Sequence, residues 1–587
     1  MIIVGFYKGH NATACILKDG KIIAAVSEER FNRTKNADVF PIQAIKYCLK
    51  EAHVKAQDVD YWVRTYTHPE GFVSPAGETQ MPALIQFLSI LLLIARKLLL
   101  LCPLLISFGR FLYELIYTKI LTPRYQEQFR ETMAAYLKID KNKIIFADHH
   151  TCHAYAAYYG FVPVEKRTED FLVITLDGAG DGDCGGVWMV RKGVWERIAK
   201  TPAGASLALF YGMITQYLGM KLNEHEYKVM GLAPYVSAYE STKVYPLFKN
   251  LFWVDSNLVM HSKILSGAYL DYFDKILKRR RFDGIAGAAQ KYVEDVSSEL
   301  VKKAIKKTGI KNLTVGGGFF MNVKANKKIA ELSEVKEFFP CPSASDESTV
   351  FGAAYYGCEF LCKERNNNFN PQNIDKPYLG GEFSEKDIRL ALSKKGVNNK
   401  YSVKKFADIE KRIASLLMDG KIVGRFNGKM EWGARALGNR SILMDPRRKD
   451  LVQKLNDQIK SRDFWMPFAA SILDTYEGKY ILNPKGINAE FMILGFETTP
   501  AGKRDLQAAI HPYDFTCRPQ IVRKETNPGY YKLIKYFEQM SGVGAVLNTS
   551  FNLHGEPIVY TPYDALDVFE RCGLEYLALG DYLVWKK

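Results

Sequence analysis

One order of segments occurs twice in this chain, and it limits the possible folds more than any other sequence feature. Near the N-terminus, the apolar run Ile2–Phe6 leads into a turn-prone loop, and two further strand candidates are joined by Asp19-Gly20. The same order returns over 171–199. Short apolar runs bounded by Gly and Asp are typical of strands and hairpins. The repetition predicts two homologous lobes that face each other across a cleft.

Each copy places a polar loop directly after its first strand candidate. The first loop contains Gly9, His10 and Asn11, and the second is the Gly/Asp segment 177–183. Glycine-rich loops expose backbone N–H groups to anions, and an aspartate beside them can hold a metal against phosphate oxygens. Either loop by itself is compatible with a simple hairpin connection, but the repetition favours a phosphate-binding function.

A histidine-rich segment, 148–160, supplies the next candidate site. It consists mainly of small and aromatic residues without a helix breaker, so His149 and His153 are expected on one side of a helix. Two imidazoles on one face are half of a metal site, and a pair of packed or capping histidines is the alternative. His150 is expected to point elsewhere, and Cys152 has no cysteine partner at zinc-finger spacing, which argues against a structural zinc site.

Two later loops add glycines and a carboxylate. A strand candidate at 313–315 runs into Gly316, Gly317 and Gly318, an arrangement that lets the backbone approach a nucleotide at a helix N-terminus. The loop 342–348 carries an aspartate just before a small-residue helix. A mixed N/O ligand set for iron or manganese, with zinc as the next choice, is then formed by His149, His153, Asp177 and Asp346.

Length and charge restrict the class of protein. With 587 residues, 47% hydrophobic and 25% charged, the chain has a globular composition and is too long for one core, so at least two domains are expected. The net charge of +16 suits nucleic acid, a membrane surface or small anionic substrates. Since most lysines are scattered singly, a lysine-rich solvated surface explains the charge equally well.

Cysteine usage and the N-terminal sequence indicate the compartment. The ten cysteines are dispersed without C-x-x-C pairs, and no basic-then-apolar export signal opens the chain. Both observations predict a reducing, cytoplasmic location.

The expected domain boundary is a polar, asparagine-rich stretch at 363–371, which has no hydrophobic periodicity. The predicted domains are therefore 1–370 and 371–587. After the boundary, 409–417 has the pattern of a helix and 422–426 that of a strand.

Ordered motifs run along nearly the whole chain. They are the segments 5–14, 27–31 with Lys35, 149–154, 177–181, 226–233, 316–318, 431–441, 518–520, 548–552 and 555–557. Taken in this order, they make the chain similar to the NodU-type O-carbamoyltransferases. The resemblance implies an α/β protein with a duplicated ribonuclease-H-like N-terminal domain of the actin and sugar-kinase superfamily, followed by a YrdC-like α/β C-terminal domain.

The resemblance also implies a reaction in two steps. Carbamoyl phosphate and ATP give a carbamoyl-adenylate and pyrophosphate in the C-terminal domain, and the carbamoyl group then passes to a hydroxyl of a small-molecule or sugar acceptor. The expected cofactors are ATP with Mg²⁺ and the divalent metal described above. The expected partners are carbamoyl phosphate, the acceptor and a second copy of the chain in a homodimer, without nucleic acid.

Residue roles are carried over from the family by position. Paired cations hold phosphate geometry, and five of them inside Gly/Asn-rich loops favour an anion pocket, although any one arginine is as compatible with a surface ion pair. The implied carbamoyl-phosphate-binding residues are Arg435, Arg440, Lys460, Arg462, Arg518, Asn548, Ser550 and Asn552. The implied nucleotide-binding residues are Gly178, Gly180, Asp181, Lys228, Gly316, Gly317, Gly318 and Asn322. His10 suits a general base, and Lys35 can offset charge that develops during transfer.

Two features depart from the family pattern. Residues 82–109 form the core of an apolar helical insert predicted at about 82–122, and Arg96-Lys97 divides it, so neither part reaches the roughly 20 apolar residues of a membrane span. A helical hairpin packed on the domain and a surface for peripheral membrane contact or acceptor binding are both compatible with it. The other departure is Met466, where many relatives have an arginine, so one phosphate contact is lost or supplied elsewhere.

Two other function classes stay open. The net charge suits a threonylcarbamoyl-type tRNA modification enzyme, but the basic residues form no patch interleaved with aromatic residues. A non-catalytic, sugar-kinase-like nucleotide-binding protein is the other alternative. Carbamoyl-phosphate-dependent release of pyrophosphate from ATP distinguishes the transferase from both, and the sequence does not identify the acceptor.

Overall fold

The computed structural model describes residues 1–68, 121–264, 266–394 and 396–586. The insert predicted at about 82–122, including 82–109, therefore lies almost entirely outside the described residues. Within the described ranges, no helix is both long enough and apolar enough to cross a membrane.

The first lobe is built on a five-stranded sheet. Its strands are β1 (Ile2–Tyr7), β2 (Thr13–Lys18), β3 (Lys21–Ser27), β4 (Tyr61–Arg64) and β5 (Ile144–Phe146). They lie in the order β3-β2-β1-β4-β5. Strand β1 is antiparallel to β2 and parallel to β4. The hairpin at Asp19-Gly20 joins β2 to β3, as the turn residues predict.

The second lobe repeats this sheet. Its strands are β6 (Phe171–Gly180), β7 (Asp183–Arg191), β8 (Val194–Pro202), β11 (Asn312–Gly316) and β12 (Glu337–Pro340), after a separate hairpin of β9 (Phe252–Val254) and β10 (Met260–Ser262). The order β8-β7-β6-β11-β12 matches that of the first lobe, with the same strand directions. The two homologous lobes predicted from the repeated segments, and the duplicated ribonuclease-H-like fold that the resemblance implies, are confirmed.

Two helices meet between the lobes. The helix His149–Phe161, called the histidine helix, packs on β6 and β11, whereas the helix Thr349–Glu364 packs on β1 and β4. They contact each other where Gly352 faces the Cys152 carbonyl, and a Cβ at Gly352 would lie 1.7 Å from that oxygen. Only glycine permits this approach. The crossing holds the two sheets in one fixed arrangement.

The remaining described helices of the N-terminal domain flank the two sheets. They are Glu29–Asn32, Ile42–Glu51, Thr122–Leu137, Leu207–Tyr217, Glu226–Leu232, Ala238–Phe248, Tyr269–Leu277, Phe282–Thr308 and Val323–Ala330. The longest, Phe282–Thr308, buries apolar residues along most of its length against its neighbours.

The C-terminal domain contains an eight-stranded mixed sheet. Its strands are β13 (Ser402–Lys405), β14 (Val423–Phe426), β15 (Arg440–Met444), β16 (Ala469–Leu473), β17 (Gln520–Val522), β18 (Ala545–Ser550), β19 (Tyr576–Leu579) and β20 (Tyr582–Trp585). Their order is β13-β20-β19-β14-β15-β18-β16-β17. The described helices are Glu385–Lys394, Val397–Lys400, Ile409–Met418, Asp450–Leu455, Glu477–Tyr480, Pro500–Asp505, Pro528–Ser541 and Pro562–Arg571. This α/β architecture agrees with the predicted C-terminal domain and with the helix and strand expected at 409–426.

Candidate active site

Four buried side chains meet at the start of the histidine helix, and their ligand atoms lie within 4.8 Å of one another: His149, His153, Asp177 and Asp346. The two imidazole Nε2 atoms are 3.1 Å apart. His149 Nε2 lies 3.3 Å from Asp177 Oδ2, and His153 Nε2 lies 3.4 Å from Asp346 Oδ1. We call these four residues the His/Asp cluster.

Local structure brings the cluster together. Asp148 caps the histidine helix by accepting a hydrogen bond from the Thr151 backbone, so the helix begins at His149. Strands β6 and β11 are parallel, and their carboxyl ends therefore meet at one edge of the sheet. There the N–H of Gly318 donates to Asp177 Oδ1 at 2.7 Å. The other oxygen of Asp177 is left to face the imidazoles.

Most outer atoms of the cluster are engaged, whereas His149 Nδ1 is buried without a partner in the described ranges, and the inner atoms converge. The Tyr7 hydroxyl donates to Asp346 Oδ2 at 2.6 Å, and Ser348 Oγ lies 3.5 Å from His153 Nδ1. Asp346 Oδ1 is buried without a hydrogen-bond partner among the described residues. Two imidazole nitrogens and two carboxylate oxygens directed at one point fit a divalent metal ion, with the outer contacts orienting its ligands.

Electrostatics in the cluster favour a positive charge at its centre. Burial disfavours the protonated form of His149, but hydrogen bonding to Asp177 and the charge of Asp346 outweigh it and raise the pKa of this imidazole to about 9. Although burial acts in the opposite direction, contact with the two imidazoles holds the pKa of Asp346 far below its usual value. His150 lies outside the cluster with its Nδ1 3.0 Å from Thr175 Oγ1, and burial lowers its pKa to about 3.

His10 lies beside the cluster, in the loop that follows β1. Its Nδ1 is 3.4 Å from the Tyr7 hydroxyl and 3.7 Å from Asp346 Oδ2, and its side chain is 39% exposed. Lys35 lines the same opening, and its pKa is lowered mainly by burial. The His10 imidazole therefore faces the cavity beside the His/Asp cluster, and the Lys35 ammonium group faces the same cavity.

One cavity of about 940 Å³ joins the two domains. From the N-terminal domain it is lined by His10, Lys35, Asp177, Gly178, Gly318, Asn322 and Asp346, among other residues. From the C-terminal domain it is lined by Arg435, Lys460, Arg462, Met466, Arg518, Asn548, Ser550 and Asn552, among others. The two predicted sites thus open into a single space.

Three of the cavity arginines, Arg435, Arg462 and Arg518, form what we call the arginine group. None of them has an ion-pair partner within 4 Å among the residues described. Burial and the like charges of the other two arginines lower the pKa of Arg518. Burial, with the charge of Arg435 as the next lowering cause, lowers the pKa of Arg462 to about 10. The three side chains are half-buried, and neighbouring like charges without counter-ions are stabilised when a polyanion binds between them.

Polar residues order the loops next to the arginine group. Lys460 is buried and donates to Ser550 Oγ at 3.2 Å and to Asn552 Oδ1 at 2.6 Å. Asn548 donates to Ser471 Oγ at 3.0 Å, while its own Oδ1 is buried without a partner in the described part of the chain. Lys460 therefore stabilises the loop at 550–552. Asn548 lines the cavity, and its Oδ1 is an acceptor without a hydrogen-bond partner among the residues described.

The structure does not bring Arg440 to the cavity. Its guanidinium donates to backbone carbonyls, including those of Asn427 at 2.9 Å and Gly381 at 3.2 Å, and it stacks 3.7 Å from the centre of the Phe426 ring. The motif 431–441 predicted a phosphate contact for this residue. Its hydrogen bonds instead fit a structural role, because both terminal nitrogens of the guanidinium already donate to backbone carbonyls.

Some of the predicted nucleotide-binding glycines serve packing. A Cβ on Gly180 would lie 2.1 Å from the His149 ring, and one on Gly316 would lie 2.8 Å from the His153 carbonyl oxygen. Gly317 has a φ of +97°, and a Cβ built on it would lie 2.2 Å from the Leu176 carbonyl oxygen. These three glycines let the histidine helix and β6 approach closely, and none of them lines the cavity.

Of the other predicted nucleotide-binding residues, some line the cavity and some bond only to other parts of the protein. Gly178, Gly318 and Asn322 line the cavity, and Asn322 also caps the helix Val323–Ala330. Asp181 accepts hydrogen bonds from backbone N–H groups, among them that of His149 at 2.9 Å, and Lys228 pairs with Asp463 at 3.0 Å. Neither Asp181 nor Lys228 lines the cavity.

Sequence reasoning missed two cavity residues and gave no role to a third. Tyr7 is the first residue of the turn-prone loop predicted after Ile2–Phe6, yet β1 extends to it and its hydroxyl donates to Asp346. Glu347 directly follows Asp346, and this adjacency was the one available signal of its position in the site. Met466 contacts Gly231, with its sulfur 3.0 Å from a built Cβ, so the C-terminal domain uses it for packing on the N-terminal domain.

Comparison with known proteins agrees with this arrangement. A family model described as Carbamoyltransferase N-terminus matches residues 2–355, and one described as Carbamoyltransferase C-terminus matches 414–586. An uncharacterised protein of Methanocaldococcus jannaschii is 30% identical over all of both chains. Nodulation protein NolNO of Sinorhizobium fredii is 29% identical, with 98% of this chain and 79% of that protein covered.

Among solved structures, T. kodakarensis HypF is similar with a TM-score of 0.32 and 12% identity, covering 63% of this chain and 48% of that one. The assignment rests on the family models and the full-length relatives. On this evidence the chain belongs to the carbamoyltransferase family and is a carbamoyltransferase of the NodU type.

Proposed function

We propose that this enzyme carbamoylates a hydroxyl of a small-molecule or sugar acceptor through a carbamoyl-adenylate. In the first step, carbamoyl phosphate reacts with water to release inorganic phosphate. The oxygen of the resulting carbamate displaces pyrophosphate from the α-phosphorus of ATP. In the second step, the acceptor oxygen attacks the carbamoyl carbon, and AMP leaves.

The single cavity shared by the arginine group and the His/Asp cluster is the observation that carries this proposal. The first step brings two polyanions together, and three arginines without counter-ions supply matching charge. The second step needs a base and a stabilised leaving group, which His10 beside the His/Asp cluster and Lys35 on the wall of the same cavity offer. We assign the first step to the domain after residue 370 and the second to residues 1–370.

The His/Asp cluster has a definite place in this proposal. A divalent metal held by His149, His153, Asp177 and Asp346 would supply Lewis-acid stabilisation of phosphate oxygens. Gly318 and Tyr7 keep the two carboxylates oriented, because each donates to the oxygen that faces away from the centre. His10 removes the acceptor proton while Lys35 offsets the negative charge of the departing phosphate.

The half-reactions are expected to separate by mutation. In Arg435→Ala and Arg518→Ala, carbamoyl-phosphate-dependent pyrophosphate release should fall on the order of 10²-fold, the usual cost of one lost charge-stabilising donor. In His10→Ala, pyrophosphate release should persist, while formation of carbamoylated product falls about a hundredfold or more. Coupled pyrophosphate detection and mass spectrometry of the acceptor measure the two steps separately.

Arg389→Ala is the matched control, because Arg389 is exposed on the C-terminal domain away from the cavity. Normal pyrophosphate release in both cavity-arginine variants would remove the arginine group from the first step. Turnover that requires tRNA, or no turnover with any acceptor, would favour the alternative classes. Homodimer formation, membrane contact through 82–109 and the acceptor itself stay predictions.

A further inference from the structure

Glu347 connects cavity loops of the two domains, although it is not a member of the His/Asp cluster or of the arginine group. Its side chain is buried, with 5% relative exposure for the residue. Oε2 accepts a hydrogen bond from the Asn11 side-chain amide at 3.2 Å, and Oε1 accepts one from the Ser343 hydroxyl. Asn11 follows His10 in the loop after β1. One end of the carboxylate is therefore tied to the proposed general-base loop.

The other carboxylate oxygen, Oε1, is linked through Ser343 to the loop that carries Arg435. The Ser343 hydroxyl donates to Glu347, and its oxygen accepts the backbone N–H of Ala434 at 3.1 Å. Ala434 directly precedes Arg435. The approach is close, because a Cβ built on Gly433, whose φ is +94°, would lie 2.9 Å from Ser343 Cβ. The chain Asn11, Glu347, Ser343, Ala434 thus spans the domain junction by hydrogen bonds.

A second contact fixes the same loop from the N-terminal domain. Arg30, within the motif 27–31, donates through Nη2 to the Gly433 carbonyl at 3.0 Å and pairs with Glu29 at 2.9 Å. The backbone on both sides of the Gly433–Ala434 peptide is therefore held by side chains from before residue 370. Arg435 itself has no ion-pair partner among the described residues, so its direction depends on this backbone.

We propose that Glu347 is a positioning residue, which holds the Arg435 loop of the C-terminal domain in its anion-binding conformation and ties that loop to the His10 loop. This rests on the proposed function, since it takes Arg435 to bind phosphate. Asp346 and Glu347 are adjacent in the turn Asp346–Ser348, and their carboxylates face different ways. That of Asp346 faces the His/Asp cluster, and that of Glu347 faces the domain junction. Arrangement of the arginine group then depends on contacts from the other domain.

The test is the affinity of the full-length chain for inorganic pyrophosphate, measured by calorimetry together with metal content. Glu347→Ala and Ser343→Ala should each weaken pyrophosphate binding by about tenfold or more, the loss expected for a disrupted orienting contact, without loss of metal. The double variant should bind pyrophosphate no more weakly than the single variant with the lower affinity, because both substitutions break the same series of hydrogen bonds. Glu347→Gln should stay within about threefold, since an amide keeps an acceptor for Ser343 and Asn11 can turn its own amide to match. Glu364→Ala is the matched control, an exposed carboxylate bonded to Tyr61.

Several outcomes decide the proposal. Affinity within about twofold of wild type in folded Ser343→Ala and Glu347→Ala overturns it, as does a Glu347→Gln variant as weak as Glu347→Ala. If Glu347→Ala does not fold, Ser343→Ala and Glu347→Gln decide by the same criteria. The Arg435→Ala variant separates the two proposals. Unchanged affinity in it refutes phosphate binding by Arg435, and with it the positioning role. Weakened affinity in it, together with normal Glu347 variants, refutes only the positioning role.

Discussion

At the scale of single residues, Asp346 shows how one carboxylate is divided between two tasks. Oδ2 is held by the Tyr7 hydroxyl, and Oδ1 faces His153 without a hydrogen-bond donor to satisfy it among the described residues. A buried acceptor left open in this way carries a free-energy penalty unless a cation or proton meets it. The geometry around Asp346 therefore fits a bound metal ion, and a protonated imidazole is the other group that can meet this oxygen.

The residue-scale prediction concerns metal content. Replacing both His149 and His153 by alanine removes the two nitrogen ligands, so bound metal should fall by about tenfold or more in elemental analysis of the purified protein. His261→Ala is the control, because His261 stacks on Trp253 outside the cluster. His150→Gln should also retain the metal. Undiminished metal in the double variant would show that the four residues do not bind it.

At the scale of elements, the crossing of the histidine helix with Thr349–Glu364 positions the site. Each helix packs on the sheet of a different lobe, and Asp346 lies just before the second one. At Gly352 the backbones of the two helices are in direct contact, because glycine has no side chain. The helices therefore cannot move apart without displacing His149 and His153 from Asp346. The site geometry is therefore set by helix packing and not by loop conformation alone.

Gly352→Ala tests this dependence. The added methyl group would overlap the Cys152 carbonyl, so the free energy of unfolding should fall by at least about 3 kcal/mol, the upper range for overpacking, and metal content should fall with it. Chemical denaturation followed by circular dichroism measures the first effect. Gly478→Ala is the control, because a Cβ there meets no atom within 4 Å. A change of less than about 0.5 kcal/mol in Gly352→Ala would mean that the helices adjust freely.

At the scale of the whole molecule, the two domains are joined by contacts at the cavity wall and outside it. Asn326 donates to the Ile493 carbonyl at 2.9 Å, and Lys324 forms an ion pair with Asp514. Burial raises the pKa of Asp514, but the hydrogen bond from His511 and the charge of Lys324 outweigh it and hold the pKa far below its usual value. Asp514 therefore stabilises the folded, docked state while it is ionised.

The pH dependence of stability follows from this depressed pKa. A carboxylate with a lowered folded pKa contributes stability above its unfolded pKa of about 3.9, and that contribution is lost as the pH falls through the folded value. Asp514→Asn should lower the free energy of unfolding by on the order of 1 kcal/mol at pH 7, and the gap to wild type should shrink below about pH 4. Urea unfolding at pH 7, 5, 4 and 3 measures it.

Asp450→Asn is the control, since Asp450 is exposed and pairs only with Arg448 in the described structure. A gap between wild type and Asp514→Asn that is equal at pH 7 and pH 3 would show that ionisation of Asp514 does not stabilise the docked domains.

Local sequence properties determined much of the fold. Strand periodicity and turn residues act over a few positions, so the repeated order of strands, the Asp19-Gly20 hairpin and the helix at His149 were predictable from neighbours in the chain. Helical spacing also placed His149 and His153 on one side, because i and i+4 share a face. The motif 431–441, by contrast, predicted a phosphate-binding role for Arg440, whereas the structure places its guanidinium on backbone carbonyls outside the cavity lining.

Tertiary structure alone decided which side chains meet. Tyr7 and Asp346 are 339 residues apart, and nothing local to either predicts the hydrogen bond between them. Arg440 and Arg435 stand in one motif, yet strand β15 turns the first toward buried carbonyls while the preceding loop leaves the second in the cavity. The physical reason is that hydrogen-bond satisfaction and close packing are settled only when distant segments are in contact, whereas secondary structure is largely settled before that.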